Sequence, residues 1–543
     1  SNSREYRGIL NMHSTWIAEG DGFHTQIDPD DWRTVYTVNH VGFVARQNIE
    51  TREYTFITPT PETISNFSEY VDYNYDETRN RYTIDPGEHW FFRERPDRPL
   101  LPPQFRFNWS SPFIISSHNS KKVFFGSNHL FQSDDRGDNW KIVSPDLTTN
   151  DKSLRNTSDG GGLTNSNTGG ENHFTIITIS DTPIDKEVIW VGTDDGNVQI
   201  TRDNGGTWDN VRPNISGVPQ KTWVSRVEAS KHKKGRAFIS FDNHRFDDNK
   251  PYVFMTNDYG KTWNNITSNL PNDYSVYVIK EDYVDESLLF VGTEKSVYFT
   301  INQGKTWDIL GSKLPSVAIH DLVIHPRDGD LVAGTHGKSI WILDDISPLR
   351  NLELNKNKII PSRISTKWIK INTGRKQPYF EFRGENPPYG AIINFYSKSE
   401  IKGKITISNS SDKNIYQREI NISNGLNRFI WPFELDRNSD ELNNYRTKFI
   451  DLVEEFKDIT IDKRNLKKYN FKNLNSFSEI NKLRKSFLDD FGMYANGKKI
   501  FGDKLYESYD VKPGEYKIIL ELENGESHKE IILVREDPLK ISN

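Results

Sequence analysis

One eight-residue spelling recurs four times, and it restricts the fold more than any other feature of the chain. It reads Ser133-x-Asp135-x-Gly137-x-x-Trp140, then Thr201-x-Asp203-x-Gly205-x-x-Trp208, Thr256-x-Asp258-x-Gly260-x-x-Trp263 and Thr300-x-Asn302-x-Gly304-x-x-Trp307. The copies begin 68, 55 and 44 residues apart. A motif repeated at such periods is spent once per structural unit, as in arrays and propellers. An apolar segment ending in Gly-Ser or Gly-Thr lies ahead of three copies, at 123–127, 189–193 and 289–293. A second apolar segment carries the motif at its end (LFQS, NVQIT, YVFMT, SVYFT). A third follows the Trp (WKIV, WDNV, WNNI, WDIL). Strand, turn, strand, tight turn, strand is an antiparallel meander, and the motif is its last hairpin.

The residue types suit that place. An Asp or Asn side chain accepts hydrogen bonds from amides of its own loop. Gly supplies a positive φ at little cost. The Ser or Thr hydroxyl bonds across the turn, and the Trp folds back as an apolar plug with an indole N–H to donate. The Asp-x-Asn-x-Gly string resembles the start of a calcium loop, but the further carboxylates and the distal Glu of such loops are missing in every copy.

Composition narrows the class. The chain has 543 residues, 12% of them aromatic, with 13 Trp and 31 Phe against 3 Met. This favours pleated structure in more than one domain. A net charge of −6 from 70 basic and 76 acidic groups leaves no basic field for nucleic acid. Without Cys there is no disulfide framework and no thiolate chemistry. No apolar run approaches the ~18 residues of a membrane span, and no signal peptide opens the chain. Nothing in the sequence calls for a cofactor or a metal: His13, His24, His40, His320 and His336 show no ligand spacing.

The four motifs are Asp-boxes, also called bacterial neuraminidase repeats. They occur in sialidases, glucan-cleaving hydrolases, photosystem assembly factors and sortilin/Vps10 propellers. The stretches at 169–211, 249–263 and 334–350 (the last reading GTHGKSIWILDDISPLR) resemble the large bacterial sortilin-like, BNR-repeat "glycosyl hydrolase" group over most of residues 1–350. The resemblance implies an all-β chain: a β-propeller of six or seven blades at 1–350, then an immunoglobulin- or fibronectin-like sandwich. It implies an extracytoplasmic, bacterial, cell-surface or secreted protein. It also implies a preceding propeller in the same polypeptide, which would make this chain the C-terminal part of something longer. The Cys-rich modules that follow sortilin propellers are absent, so a cargo-receptor role does not transfer.

Two units without a box complete six, at about 22–57 and 316–349. The ring is expected to close by an N-terminal strand completing the last blade. Residues 58–108 form a long insertion with room for a further unit. The tail alternates like strands at 390–398, 403–409, 415–422, 425–433 and 511–534, the last with an Asn524-Gly525 hairpin turn. The sandwich is expected at 351–437 and 501–543. Helical spacing of Leu442, Tyr445, Phe449, Leu452, Val453 and Phe456 places a helical insertion at 438–500.

In a propeller the boxes lie at the periphery, so chemistry belongs to the innermost strands. Those present Arg226 and Glu228, Glu281 and Asp282, His320 and Asp321, and Asp21 and His24. Glu228, Glu281 and Asp321 are the candidate axial acids; Arg226, His24 and His320 are candidate ligand contacts. Trp90 and Phe91, in the aromatic and Arg-rich run 88–109, are further candidates, since such composition suits interfaces and sugar rings. The Gly-rich stretch 158–173 lacks the Lys-Ser/Thr of a phosphate cradle and reads as a loop between blades. The arginine triad and Tyr-Glu pair of sialidases, and the two Asp of the glucan-cleaving enzymes, find no match. A binding protein for a protein or glycan partner is therefore the first expectation, and a glycoside hydrolase with an axial carboxylate site is the second.

Overall fold

A computed structural model describes residues 8–10, 14–18, 22–39, 42–70, 105–151, 173–311 and 313–350. It also describes 352–353, 356–361, 363–369, 383–435 and 511–538, with scattered positions between 443 and 499. The chain divides into two compact units, parting after Arg350. In the first, a two-residue strand β1 (Ile9–Leu10) precedes a series of antiparallel sheets, each built from consecutive strands. Blade 1 is β2 (Gly22–Ile27), β3 (Thr34–Asn39), β4 (Val44–Asn48) and β5 (Tyr54–Phe56). Blade 2 is β6 (Phe113–Ser116), β7 (Asn119–Gly126), β8 (Leu130–Ser133) and β9 (Lys141–Ile142). Blade 3 is β10 (Ile176–Thr182), β11 (Asp185–Thr193), β12 (Val198–Thr201) and β13 (Asp209–Asn210). Blade 4 is β14 (Trp223–Ala229), β15 (Ala237–Asn243), β16 (Asp248–Thr256) and β17 (Asn264–Asn265). Blade 5 is β18 (Val276–Glu281), β19 (Leu289–Thr293), β20 (Val297–Thr300) and β21 (Asp308–Ile309). Blade 6 has three strands, β22 (Ile319–Ile324), β23 (Leu331–Thr335) and β24 (Ile340–Leu343). Among the described residues there are thus six blades, and the chain is all-β with a β-propeller.

Each Asp-box turns the third strand of a blade into its fourth. In the third blade the Thr201 hydroxyl donates to Asp203 Oδ1 (2.8 Å) and accepts the Gly205 amide (2.9 Å). Asp203 in turn accepts the Thr207 amide and hydroxyl, both at 2.8 Å. The hydroxyl bonds and the backbone-amide bond recur around Ser133 and Asp135, Thr256 and Asp258, and Thr300 and Asn302. The last contact varies: Asn139 Nδ2 donates to Asp135, and Asn302 Nδ2 donates to the Thr306 hydroxyl. The residue before the Gly is left-handed too, at φ 66° for Arg136, 54° for Asn204, 62° for Tyr259 and 58° for Gln303. That conformation costs an L-residue about 1–2 kcal/mol, offset by the side-chain bonds.

The motif also reaches beyond its hairpin, which local turn chemistry does not foretell. The Trp140, Trp208 and Trp307 indoles donate to the carbonyls of Ile57, Val143 and Ile266, at 2.8, 2.9 and 2.8 Å. Each acceptor is the residue just past the outer strand of the preceding blade. The box glycine meets the same residue: a Cβ on Gly205 would lie 2.5 Å from the Val143 carbonyl oxygen, and one on Gly137 2.6 Å from Ile57. Gly260 and Gly304 stand likewise against Val211 and Ile266. Trp263 differs. Its indole bonds the Gly260 carbonyl of its own turn (3.1 Å) and its ring packs edge-on to Trp190. The boxes are therefore clasps between blades 1–2, 2–3, 3–4 and 4–5, and the apolar clusters lie between the same pairs.

Three expectations meet different outcomes. Among the described residues blade 6 ends at β24, and the N-terminal strand expected to complete it falls largely on residues outside them. Its third strand ends in Leu343, where blades 2 to 5 place Ser or Thr. Asp345 then accepts the Ser347 amide (3.1 Å) and hydroxyl (2.6 Å) as the helix Ser347–Arg350 starts, so the chain does not turn back. Second, the end of the aromatic run 88–109 is core rather than interface. Phe105 and Phe107 pack with Phe125, Phe131 and Trp140, and the buried Arg106 pairs with Asp146 at 2.7 Å. Third, the described positions between 443 and 454 and between 479 and 486 are helical, as expected, but a short hairpin of Tyr494–Ala495 with Lys498–Lys499 lies at the end of that stretch. Most of that stretch lies outside the described residues.

In the second unit, one sheet orders Lys358–Ile360, Ala391–Ser397 and Gly425–Trp431. Another orders Ser365–Lys367, Ser527–Glu536, Gly514–Leu522, Ile401–Ser408 and Asn414–Ile422. Ile393, Phe395 and Trp431 of the first meet Ile405, Ile518 and Ile532 of the second in one core.

Truncating Trp140, which is 1% exposed, should cost about 3–5 kcal/mol, read by chemical denaturation. Trp263→Ala should cost clearly less, because that indole is partly exposed and bonds within its own turn. Asp203→Asn should be nearly neutral near pH 7, since Asn302 already performs the task, whereas Asp203→Ala should lower the denaturation midpoint, because the Thr207 amide and the Thr201 hydroxyl lose their acceptor. Bonds from Thr207 and Thr201 hold the Asp203 carboxyl below the usual range. The contribution of its charge is present above the ordinary carboxylate pKa and lost as pH falls through the lowered value. Asp203→Asn should remove that part of the acid sensitivity.

Candidate functional site

The inner strands β2, β14 and β22 come from blades 1, 4 and 6, yet His24, Arg226 and Asp321 meet. Arg226 Nη2 lies 2.9 Å from Asp321 Oδ1. His24, partly buried beside both, has its pKa lowered to about 4 by burial and by the Arg226 cation, against the opposing pull of Asp321. Three predicted contacts thus converge on the axis. Their neighbours are arranged by position along the strands: Trp223 opens β14, Arg226 is central and Glu228 lies near its end.

Toward the strand ends the acids are occupied by scaffold contacts. Glu228, 4% exposed, is bound by Lys231 and by Lys280 Nζ (2.8 Å). Burial pushes its carboxyl up, but the two cations prevail and hold it at about 2. Glu281 accepts the Ser230 hydroxyl (2.9 Å) and the Lys231 amide (2.6 Å), while burial raises its pKa. Asp282 is fully buried and takes both Arg350 bonds at 2.8 Å, so it braces the wall rather than facing the axis.

Toward the strand starts lies a run of rings. Tyr277 stacks on His320 with centroids 4.6 Å apart and planes at 11°. His320 adjoins His336 at 5.2 Å, and His244 meets Tyr277 edge-on at 6.1 Å. The Arg245 guanidinium lies 4.0 Å over the Trp223 ring and pairs with Asp242 at 3.2 Å. His244 Nδ1 is 2.6 Å from the same carboxylate. Burial raises the Asp242 pKa, but His244 and Arg245 bring it below its usual value. Tyr277 donates to Glu294, and burial together with that carboxylate raises its pKa. His320 is lowered, by burial and by His336 and His244. His244, Arg245, Glu294, His320 and His336 are exposed, so the run faces solvent.

The sequence reading named His320 but missed Trp223, His244, Arg245, Tyr277 and Glu294 as site residues, and listed His336 for a metal alone. The signal lay in the repeat frame: His244, Glu294 and His336 each follow the second strand of their blade. Trp90, Phe91, Asp21, His13 and His40 lie outside the described residues. Among the described residues no group of three or more His, Asp or Glu is arranged to hold a metal, and no helix is long and apolar enough to cross a membrane.

One other feature borders this face, and a second lies at the opposite ends of the strands. In the turn after β11, Asp194 accepts the Thr175 amide (2.9 Å) and hydroxyl (2.5 Å), and Asp195 accepts the Thr149 amide and hydroxyl (both 2.6 Å). Adjacent carboxylates thus hold both roots of the segment between blades 2 and 3. Farther out, a cleft of about 400 Å³ between blades 1 and 2 is lined by Arg46, Lys121, Arg136, Glu53, Asp135 and Asp138. Arg46 pairs with Asp138 and Arg136 with Asp28, each at 3.0 Å, so those charges bridge blades.

This is an Asp-box β-propeller with its boxes at the rim and a polar, ring-lined axis. The family described as "Sortilin, neurotensin receptor 3" matches residues 251–430, and over that stretch this β-propeller protein is similar to it. Among solved structures, a GH74 enzyme of Niastella koreensis is 13% identical, with a TM-score of 0.37, over 69% of this chain and 50% of that one. This chain therefore spans about half the length of that relative. YCF48 from Cyanidioschyzon merolae is 12% identical, with a TM-score of 0.37, over 64% of this chain and 91% of that one. The structure titled "YCF48 bound to D1 peptide" is 9% identical, with a TM-score of 0.28, over 60% and 93%. A search of curated proteins gave no match.

Titration of the His24 ring by NMR should give a midpoint near 4. Arg226→Ala should raise it, because a cation is removed, and Asp321→Asn should lower it. Since the folded value lies below the ordinary 6.5, the unfolded chain binds the proton first. The His24 contribution to stability is then complete above about 6.5 and lost as pH falls from there toward 4.

Proposed function

We propose that this chain is a non-catalytic binding module that takes a protein or a glycan on the axial face of the propeller. It would be exported and part of a bacterial cell-surface assembly, as in the group it resembles. One observation carries the reading: each candidate axial acid is already engaged. Glu228 sits between two lysines, Glu281 caps the Ser230 turn, and Asp321 pairs with Arg226. A glycosidase needs one carboxyl free to give a proton and a second free to act on the sugar or on water. A Glu held at about 2 carries no proton to give near neutrality. The exposed rings of His320 and His336, the partly buried ring of Tyr277 and the Arg245–Trp223 pair offer instead flat apolar faces edged with donors. Such faces take sugar rings and aromatic peptide side chains by stacking.

Glycoside hydrolysis remains as the second reading on one observation, the burial-raised Glu281. Glycan and peptide arrays, run beside a hydrolysis screen, separate the two. Binding without turnover is expected, weakened at least tenfold in Tyr277→Ala and in Trp223→Ala. Turnover that disappears in Glu281→Gln while binding persists would replace the first reading by the second.

A further inference from the structure

Blade 6 differs from its five neighbours in one respect that is independent of the axial face: among the described residues its outer edge has no strand. In the other blades the fourth strand follows a fixed register. Phe131 pairs with Ile142 and Gln132 with Lys141; Tyr298 pairs with Ile309 and Phe299 with Asp308. The next residue is always a branched aliphatic, and its amide donates to a carbonyl of the third strand, that of the strand's first residue in blades 2, 3 and 5 and of Val253 within β16 in blade 4. Val143 donates to Leu130 (2.9 Å), Val211 to Val198 (2.8 Å), Ile266 to Val253 (2.9 Å) and Leu310 to Val297 (2.8 Å). Transferred to β24, that register names Trp341 and Ile342 as pairing residues and the Ile340 carbonyl as acceptor.

The edge is apolar and open. Ile340 is 67% and Trp341 39% exposed, whereas Leu130 and Phe131, their counterparts in blade 2, are fully buried. Val323 of β22 (51%) and Ile309 of the neighbouring β21 (60%) add exposed aliphatics in the same part of the ring. An open apolar edge strand is a template for another strand and is otherwise blunted by charge, proline or a cover. None of the residues of β24 (Ile-Trp-Ile-Leu) is charged or proline. The chain itself is led away here by the Asp345–Ser347 contacts.

We propose that β24 is a strand-docking site for an extended peptide segment of a partner protein. The segment adds antiparallel to β24 as the missing fourth strand. Two residues pair with Trp341 and Ile342, and a Val, Ile or Leu follows whose amide donates to the Ile340 carbonyl. The five neighbouring blades state its chemistry: polar residues at the two paired positions are tolerated, as at Asp209–Asn210 and Asn264–Asn265, and the aliphatic after them is constant. Main-chain pairing supplies affinity and the aliphatic supplies selectivity, as in other strand-addition interfaces.

The probe is a fluorescein-labelled peptide copying residues 139–145 of this chain (NWKIVSP), which contains the fourth strand of blade 2. A second copy is N-methylated at the valine. Fluorescence anisotropy with the full chain should show saturable one-to-one binding, at least tenfold weaker for the N-methylated peptide and several-fold weaker for Trp341→Ala. Hydrogen exchange of the Ile342 amide, which faces the same open edge as the Ile340 carbonyl, should slow on binding, while Trp341 and Leu343 face β23. Because the methyl group is on the ligand, a loss of binding there does not reflect a misfolded protein. Absence of saturation, equal binding of the methylated peptide, or an Ile342 amide already protected in the free chain would overturn the proposal. So would a concentration-dependent dimer that the peptide dissolves, since the occupant would then be a second copy.

Discussion

The distance between neighbouring blades is set by contact between a glycine and the residue just past the preceding blade's outer strand. At Gly137, Gly205, Gly260 and Gly304 no side chain fits between them, and in three of the four the indole N–H fastens to the same residue's carbonyl. A hairpin motif thereby becomes an inter-blade constraint. Sheets held at their outer rims must splay about a common centre, and so residues far apart in sequence, such as Arg226 and Asp321, meet on the axis. The constraint covers four consecutive junctions and stops at blade 5. Beyond it the chain lacks the box, and among the described residues blade 6 has no outer strand.

The axis itself separates two kinds of polar group. Toward the strand ends, buried carboxylates are each matched by a cation or hydrogen-bond donors. Such groups must be paired, because an uncompensated buried charge costs several kcal/mol. Toward the strand starts, the groups are rings and exposed charges with looser geometry. This division is what a propeller requires of a rigid wall beneath a recognition face: the residues most tightly bonded are those least able to contact a ligand.

The blades were legible because each repeats a short register, and the Ser/Thr-x-Asp/Asn-x-Gly-x-x-Trp spelling marks its last turn. The inner-strand residues Arg226, Asp321 and His24 were also legible, since the first strand of each repeat must line the centre. What the spelling did not reveal was the far end of the indole bond. Ile57, Val143 and Ile266 look like any aliphatic residue, and their role is fixed only once the sheets stand side by side. The recognition face was half legible for a similar reason. His320 belongs to a strand, but His244, Glu294 and His336 lie in turns whose equivalence appears when the blades are superposed. Glu228 and Glu281 were misjudged because sequence shows carboxylates but not the lysines and hydroxyl that occupy them.

Asp194 and Asp195 have a consequence for how such a face diversifies. With one carboxylate holding Thr175 and its neighbour holding Thr149, the two roots of that connection are fixed to the body of blade 3 from outside the connection. Blade 3 thus dictates where the chain leaves the propeller and where it rejoins it, so a replaced connection would start and finish at the same two threonines.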